Sequence, residues 1–260
     1  MKIIFAILAW TCGIFQVSET TYVRFSSGNL QYQPSTQQYR FAENQYTAIG
    51  SANTGFLQHP DEWFDLLEYA DFTQSDQGRV LSKTEWEYLF ETRTDGDNKW
   101  GFAVVNEIKG IILLPDNLKN YTDYLNTDHI GYNDNEFNAT EWNGLESKGV
   151  VFLPVTGTRQ ASIVTAAADK AWYWSSTEEN DQNYCFFITD GSKGTVLKEN
   201  TQLYGNAVRL VQETDPSTAI DNTPFPSGNR RGESSKILRD GQLLILQGDK
   251  IYNSQGQMLQ

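Results

Sequence analysis

The clearest pattern of apolar and polar positions lies between residues 171 and 211. This segment reads AWYWSSTEENDQNYCFFITDGSKGTVLKENTQLYGNAVRLV. Aromatic and β-branched residues in the runs 172–174 and 184–189 predict two neighbouring strands, and the polar residues 178–183 predict the connection between them. A Gly-containing turn follows, and residues 206–211 predict a last, amphipathic strand.

Helical spacing of apolar residues appears elsewhere in the chain. Ser82 and Glu85 form a capping-box pattern, which predicts a helix over residues 82–90 with Trp86 on its buried face. A second, shorter helix is predicted over residues 140–146. Residues 62–70 (EWFDLLEYA) also place their apolar residues at helical spacing.

Short strands are predicted in the remaining chain. Residues 22–25, 30–32 and 39–42 have the composition of alternating strands, and the apolar runs 110–114 and 150–154 are typical of buried strands. Aromatic residues make up 13% of the chain, which favours a β-rich core. Together these patterns predict an α+β fold.

Two segments carry a resemblance to a known family. Residues 25–46 read FSSGNLQYQPSTQQYRFAENQY, and residues 171–211 contain the WSS and VRLV motifs. Both resemble the secreted C-type-lectin-like domain proteins of Bacteroidetes and Fibrobacter, of the Fibrobacter succinogenes major paralogous domain type. The formylglycine-generating enzymes and the variable proteins of diversity-generating retroelements share this broad fold. The resemblance implies a C-type-lectin-like domain over residues 20–213, with mixed twisted β-sheets flanked by two helices.

The first residues have the pattern of an export signal. Met1 and Lys2 precede an apolar run, and polar residues follow from Gln16, which predicts a signal peptide over residues 1–19. Two alternatives are a buried N-terminal strand and a lipoprotein anchored at Cys12, although Trp10 fits a lipoprotein signal poorly. No other run is apolar and long enough to predict a transmembrane helix. We therefore expect an extracellular or outer-membrane-surface protein.

The other end of the chain predicts a separate small module. Residues 214–235 are rich in Pro, Gly and Ser and predict a linker. From Lys236 to Gln260, Gly-containing turns separate short apolar runs, which predicts a small β-meander. This tail resembles the sorting tails of the type IX secretion pathway, which would make the secretion machinery a partner. The alternative is a minor module that packs on the main domain.

The charge and the composition of the chain disfavour several classes of function. The net charge of −13 disfavours nucleic acid as a partner, because phosphates are repelled. Of the two cysteines, only Cys185 lies outside the predicted signal peptide, whereas resemblance to formylglycine-type oxidases would require a cysteine pair. The acidic loop around Asp128 and Asp134 lacks the spacing of a calcium loop. We predict no catalytic residues, no metal ligands and no cofactor.

The predicted ligand surface follows from the resemblance. In the retroelement-diversified relatives, ligand-contacting residues lie between the WSS segment and the last strand. Carried over, this implies contacts from Glu178, Asn180, Asp181, Asn183 and Tyr184. The alternative is a solvated loop beside a buried aromatic core. The expected function is non-catalytic binding of a protein or glycan. A structural, adhesin-like component and an enzyme on the formylglycine-generating scaffold are the alternatives.

Overall fold

The computed structural model describes residues 10–48, 61–69, 78–120, 123–160, 163–166, 169–180, 182–189, 192–199, 204–216, 234–239, 242–247 and 250–253. The chain divides into two units, Met1–Ile220 and Asp221–Gln260. Their boundary falls within the predicted linker, of which residues 217–233 lie outside the described part. Residues 1–9 of the predicted signal peptide lie outside it as well.

In its described residues the first unit consists mainly of β-sheets together with two short α-helices of defined bounds, which confirms the predicted α+β class. The helices are α1 (Lys83–Glu87), which continues as a π-helical turn over Tyr88–Thr92, and α2 (Ala139–Glu146); 3-10 turns lie at Gly96–Asn98 and Tyr132–Asp134. In chain order the strands are β1 (Phe15–Gln16), β2 (Tyr22–Phe25), β3 (Leu30–Gln33), β4 (Gln38–Phe41), β5 (Leu66–Leu67), β6 (Trp100–Val105), β7 (Ile108–Leu113), β8 (Glu136–Phe137), β9 (Val151–Pro154), β10 (Thr158–Gln160), β11 (Ile163–Thr165), β12 (Lys170–Glu179), β13 (Gln182–Thr189), β14 (Ser192–Glu199), β15 (Tyr204–Ala207) and β16 (Val211–Thr214).

These strands form sheets of different size. The largest sheet has the order β11-β10-β15-β12-β13-β14, and β5 also pairs with β15. A second sheet has the order β8-β6-β7-β9, a third has the order β1-β2-β16, and β3 pairs with β4. Within the largest sheet, β12 runs antiparallel to β13 and parallel to β15.

Both helices begin at a capping box, of which the sequence predicts the one at α1. At α1 the Ser82 hydroxyl accepts a hydrogen bond from the Glu85 amide, and the Glu85 carboxylate accepts one from the Ser82 amide. At α2 the capping residue is Asn138, whose Oδ1 accepts from the amides of Thr140 and Glu141 at 2.9 and 3.0 Å. These bonds satisfy amides that a helix start would otherwise leave without partners.

The main core lies between α1 and one face of the large sheet. Trp86 stacks on Phe186 of β13 with ring centroids 4.7 Å apart, and Phe90 stacks on the same ring at 4.5 Å. All three side chains are buried. Packing of the predicted helical face on the sheet is therefore confirmed, and it fixes which face of β12 and β13 points inward.

The helical spacing noted over residues 62–70 does not produce a helix over the described residues 62–68. Phe64 forms an isolated bridge with Tyr32, and Leu66 and Leu67 form β5, which pairs with β15. Leu66 and Leu67 are both buried although they are adjacent. Pairing with neighbouring strands satisfies the backbone and overrides the local helical spacing.

Residues 10–17 belong to the folded unit, whereas the prediction began the domain at residue 20. Phe15 and Gln16 pair with Val23 and Tyr22 of β2, and the Phe15 side chain is fully buried. Its ring contacts Phe25 edge to face at 5.0 Å. The described part of this segment follows the alternative prediction, a buried N-terminal strand. Cleavage of a signal peptide stays a prediction.

The loop after β7 fixes this N-terminal strand from the other side. The Gln16 amide donates to Asp116 Oδ2 at 2.6 Å, and the Ile14 amide donates to Asn117 Oδ1 at 3.1 Å. Close packing also requires glycine here, because a Cβ on Gly13 would lie 2.1 Å from the Gly149 carbonyl oxygen. Gly149 itself has φ of +85°, a conformation that glycine adopts readily.

Arg209, between β15 and β16, is fully buried in a polar network. Its guanidinium donates to the amide oxygens of Gln45 and Asn29. Gln45 in turn donates to Glu146 Oε1 and accepts from the Phe152 amide, both at 2.9 Å. Burial lowers the pKa of Arg209 to about 10. The network joins the last part of the unit to α2 and β9.

The second unit forms the predicted meander in its described residues. Strands β17 (Ser234–Arg239), β18 (Gln242–Gln247) and β19 (Lys250–Asn253) pair antiparallel in that order. Residues 254–260 of the predicted sorting tail lie outside the described part.

Candidate functional site

Strand register places a row of side chains on one face of the large sheet. Thr158 and Gln160 of β10 lie opposite Thr165 and Ile163 of β11. Gln160 also lies opposite Tyr204 of β15. Because side chains alternate between the two faces of a strand, residues that lie opposite each other share a face.

The same row continues across β12 and β13, as the pairing of β12 with β15 shows. Tyr173 of β12 lies beside Ala207 of β15, and both point to the other face, into the main core. Trp172 and Asn206 are each one residue earlier, so they share the opposite face. Trp172 lies opposite Phe187 of β13 on that face.

Six of these side chains line a pocket of about 300 Å³, namely Thr158, Gln160, Thr165, Trp172, Tyr204 and Asn206. Gln160 and Thr165 are exposed at its rim, Asn206 is buried, and the other three are half-buried. The lining combines two aromatic rings with hydroxyl and carboxamide groups. Such a combination of apolar wall and few polar groups is typical of small-molecule binding pockets.

Neighbours on β13 support the Trp172 ring. The Phe187 ring lies 4.8 Å from it with a tilt of 44°. The Lys170 ammonium lies 6.0 Å from the centre of the Phe187 ring. Trp172 also packs against the second core cluster, which contains Trp174 and Cys185. These contacts hold the indole on the sheet while part of it stays accessible.

Hydrogen bonds orient the buried amide of the pocket. The Thr158 hydroxyl donates to Asn206 Oδ1 at 2.6 Å, and it also lies 3.3 Å from the Gly205 carbonyl oxygen. Asn206 Nδ2 lies 3.5 Å from Cys185 Sγ. Since sulfur is a weak acceptor, the amide keeps donor capacity for another partner.

A contact on the other face fixes β10 relative to β15. Arg159 is buried, and its Nε donates to the Leu66 carbonyl oxygen at 3.2 Å. Its Nη2 lies 3.5 Å from a Glu68 carboxylate oxygen. A Cβ on Gly205 would lie 2.8 Å from Arg159 Nε. Glycine at residue 205 therefore lets the guanidinium lie across β15.

The structure separates the five residues of the predicted ligand surface. Glu178 and Asn180 are exposed at the end of the β12–β13 hairpin, and Asn180 adopts the left-handed conformation with φ of 54°. Asp181 lies outside the described residues. Asn183 is fully buried and Tyr184 is half-buried. The four described side chains therefore do not share one exposed surface.

Tyr184 packs toward α1. Its hydroxyl donates to Glu179 Oε2 at 2.9 Å, and the Lys83 ammonium lies 4.5 Å from the centre of its ring. The Lys83 amide donates to the Thr177 hydroxyl at 2.9 Å. These contacts fasten the hairpin to the start of the helix, which is a structural role.

Asn183 points to the opposite face, beside Tyr69. Burial and the nearby Glu178 carboxylate raise the pKa of Tyr69, and the Asn183 amide partly offsets this rise. The Asn183 amide atoms nevertheless lack a hydrogen bond of ordinary length and angle. The side chain is thus inaccessible to a large partner at the hairpin end.

Sequence reasoning did not find the pocket. Of the aromatic residues beside the predicted loop, Trp174 and Phe186 are buried as the alternative of an aromatic core expects, whereas Trp172 is half-buried and lines the pocket. Period-two alternation does place Trp172 and Tyr173 on opposite faces. However, which strand lies beside β12 depends on the parallel pairing with β15, and no local pattern encodes that pairing.

The acidic loop that was weighed for calcium is held together by its own hydrogen bonds. Asp134 Oδ2 accepts from the Ile130 amide at 2.7 Å, and Asn135 Oδ1 accepts from the Asn126 amide at 2.7 Å. The His129 ring stacks on Trp100 at 3.7 Å. Within the described residues, no three His, Cys, Asp or Glu side chains converge in a way that could hold a metal ion.

No protein-family model, no curated protein and no solved structure matches this chain significantly. In the part of the chain that the structure describes, no helix has the length and apolar character needed to cross a membrane. The geometry of the sheet and its pocket is therefore the basis on which function can be argued.

Proposed function

We propose that this protein is a non-catalytic, C-type-lectin-like recognition domain that binds a protein or glycan outside the cell. The observation that supports this most directly is the pocket on the Trp172 face of the large sheet, lined by Trp172, Tyr204 and four polar side chains. The α+β sheets with two short capped helices support the finer fold assignment, together with the motifs at residues 25–46 and 171–211.

The chemistry of the pocket favours recognition. Aromatic rings supply rigid contact area at small entropic cost, and hydroxyl and amide groups adapt as donors or acceptors. The half-buried Trp172 supplies the aromatic contact area, and Gln160 and Thr165 at the rim supply the adaptable hydrogen-bonding groups. The hydrogen bond from Thr158 already orders the Asn206 side chain, so a ligand that binds there pays a smaller entropic cost for ordering it.

Display outside the cell is part of the proposal. It rests on the charged and apolar pattern of the first residues and on the tail that resembles type IX sorting signals. Trp10 and β1 lie within the predicted signal peptide and pair with Ser26 and β2, so cleavage near residue 19 would remove these pairings from the exported form. The secretion machinery would then recognise the separate unit that contains β17, β18 and β19.

A binding screen with pocket variants tests the proposal. The full chain is presented to a glycan array and to extracellular proteins, beside Gln160→Ala, which changes an exposed rim residue, and Trp172→Ala. We expect at least one ligand that the wild type binds and both variants bind more weakly. Ligands that all three proteins bind equally would contradict a recognition role for this pocket.

A further inference from the structure

We infer that the pocket between β10, β12 and β15 binds an uncharged saccharide ring, with Trp172 as the stacking surface. This inference rests on the proposed recognition function and specifies the ligand class. A saccharide ring has C–H groups on its faces and hydroxyl groups around its edge. It therefore requires an apolar platform beside groups that both donate and accept hydrogen bonds.

The pocket provides both requirements in one place. Trp172 is half-buried and lines the pocket, and the Phe187 ring lies 4.8 Å from its ring. Tyr204 and Gln160 lie opposite each other across the β10–β15 pair. A ring stacked on Trp172 would thus meet a phenol and a carboxamide along its edge.

The buried amide gives the pocket a fixed direction. Thr158 donates a 2.6 Å hydrogen bond to Oδ1 of Asn206, and among the described residues Nδ2 has the contact with Cys185 Sγ at 3.5 Å. Asn206 is 1% exposed and lines the pocket. A ligand hydroxyl that accepts from Nδ2 would improve the bonding of a buried donor.

The charges of the pocket lining and of the whole chain favour an uncharged ligand. The described lining residues are all neutral, although the whole chain has a net charge of −13. An anionic ligand would be repelled by the field of the chain, and a cationic ligand would find no carboxylate among these six side chains. The nearby Lys170, two residues before Trp172 on β12, is not among these six side chains, and its ammonium lies 6.0 Å from the centre of the Phe187 ring.

Size and position disfavour a peptide or protein. Peptides that add to a sheet pair with the backbone of an edge strand. Five of the six described lining side chains lie instead on the face of the inner strands β10, β12 and β15, and Thr165 lies on the edge strand β11. Stable protein interfaces bury about 800 Å² on each partner. A concavity of about 300 Å³ has the scale of a sugar ring instead.

Direct titration of the full chain tests the ligand class. The probes are neutral oligosaccharides of glucose, galactose, mannose or N-acetylglucosamine, sialylated and uronate-containing oligosaccharides, and a peptide library. Calorimetry measures affinity in low and high salt. We expect a neutral oligosaccharide to bind best, with an affinity that salt leaves unchanged because no charge is paired.

Matched variants locate the binding. Trp172→Ala should weaken neutral-saccharide binding at least about tenfold, and Gln160→Ala should weaken it measurably while the exposed position preserves folding. The control is Trp63→Ala, because Trp63 is another half-buried tryptophan, which contacts Arg40 and is not among the six described lining residues. We expect the control to bind like the wild type.

The outcomes separate the ligand class from the recognition function. A peptide, protein or acidic glycan that the wild type binds best and that Gln160→Ala loses would overturn the saccharide inference and leave the recognition function intact. Saccharide binding that neither pocket variant weakens would overturn the inference as well. Absence of any ligand that depends on the pocket would overturn both.

Discussion

The hydroxyl of Thr158 donates a 2.6 Å hydrogen bond to Oδ1 of Asn206, which joins β10 to β15 at the buried end of the pocket. Asn206 is almost fully buried, so this bond satisfies an acceptor that water cannot reach. The residues are far apart in sequence, and the bond exists only because the strands are adjacent. It therefore links the stability of the sheet to the geometry of the pocket.

Replacing Thr158 with Val should weaken both stability and binding. The β-branched shape is kept, but Asn206 Oδ1 loses its donor, and a buried polar group without a partner costs about 1–3 kcal/mol. Urea denaturation measures the stability, and saccharide titration measures the affinity. Thr158→Ser keeps the hydroxyl and should remain near the wild type. Equal effects of Val and Ser would show that the hydrogen bond is not responsible.

Changes at the end of the β12–β13 hairpin should leave saccharide binding unaffected. Glu178 is six residues from Trp172 along β12, which corresponds to roughly 20 Å in an extended strand. Glu178→Gln and Asn180→Gly both alter exposed positions, and glycine suits the left-handed conformation of Asn180. We expect affinities within about twofold of the wild type, a small free-energy difference. Loss of binding would instead support the hairpin surface predicted from the sequence.

Truncating Phe15 should destabilise the first unit strongly. Its ring is fully buried against Phe25 and lies 5.7 Å from the buried guanidinium of Arg93. Loss of a buried phenylalanine ring costs about 3–5 kcal/mol. Thermal or urea unfolding measures the change, with exposed Glu19→Ala as the control near zero.

The same contact predicts where an exported form begins. Cleavage between residues 16 and 21 would remove β1, so the folded protein should keep Phe15. Mass spectrometry of the N-terminus in the surface or medium fraction measures this directly. A folded, secreted protein that begins after Phe15 would contradict the structural role of β1.

Acid should weaken the capping box of α1 through Glu85. Burial alone would raise its pKa, but hydrogen bonds from Arg79 and Ser82 and the Arg79 charge outweigh burial, so the pKa lies below the ordinary value of 4.5. A lowered folded-state pKa means that this stabilisation is present above pH 4.5 and is lost as the pH falls through the folded value.

Comparison of unfolding at several pH values tests the role of Glu85. The wild type should lose more stability than Glu85→Gln between neutral and acidic pH, because the amide does not titrate. Glu87→Gln is the control, since Glu87 is more exposed and lies 3.9 Å from Lys83. Parallel pH curves for the wild type and Glu85→Gln would contradict this account.

Local signals in the sequence predicted the helices well. Ser82 and Glu85 interact within four residues, so their capping box could be read directly and is present in the structure. The second helix was predicted too, and it begins at Ala139, one residue before the predicted start. Local patterns are not sufficient where tertiary contacts determine the secondary structure. Leu66 and Leu67 lie in a segment with helical spacing, but they form a strand that pairs with β15.

The pocket could not be predicted for the same reason. Its lining comes from residues between Thr158 and Asn206, and their contact depends on the register of β10, β12 and β15. The position of β1 depends on contacts with Asp116 and Phe25, which no pattern in the first residues reveals. An apolar run of that composition is common to export signals and buried strands.

Location of the bound ligand tests the central claim most directly. Nuclear magnetic resonance spectra of the labelled full chain would be recorded while the best-binding neutral oligosaccharide is added. We predict that the largest shifts occur at the Trp172 indole and at the side-chain amides of Asn206 and Gln160. Shifts confined to Glu178, Asn180 and their neighbours at the hairpin end would contradict the account.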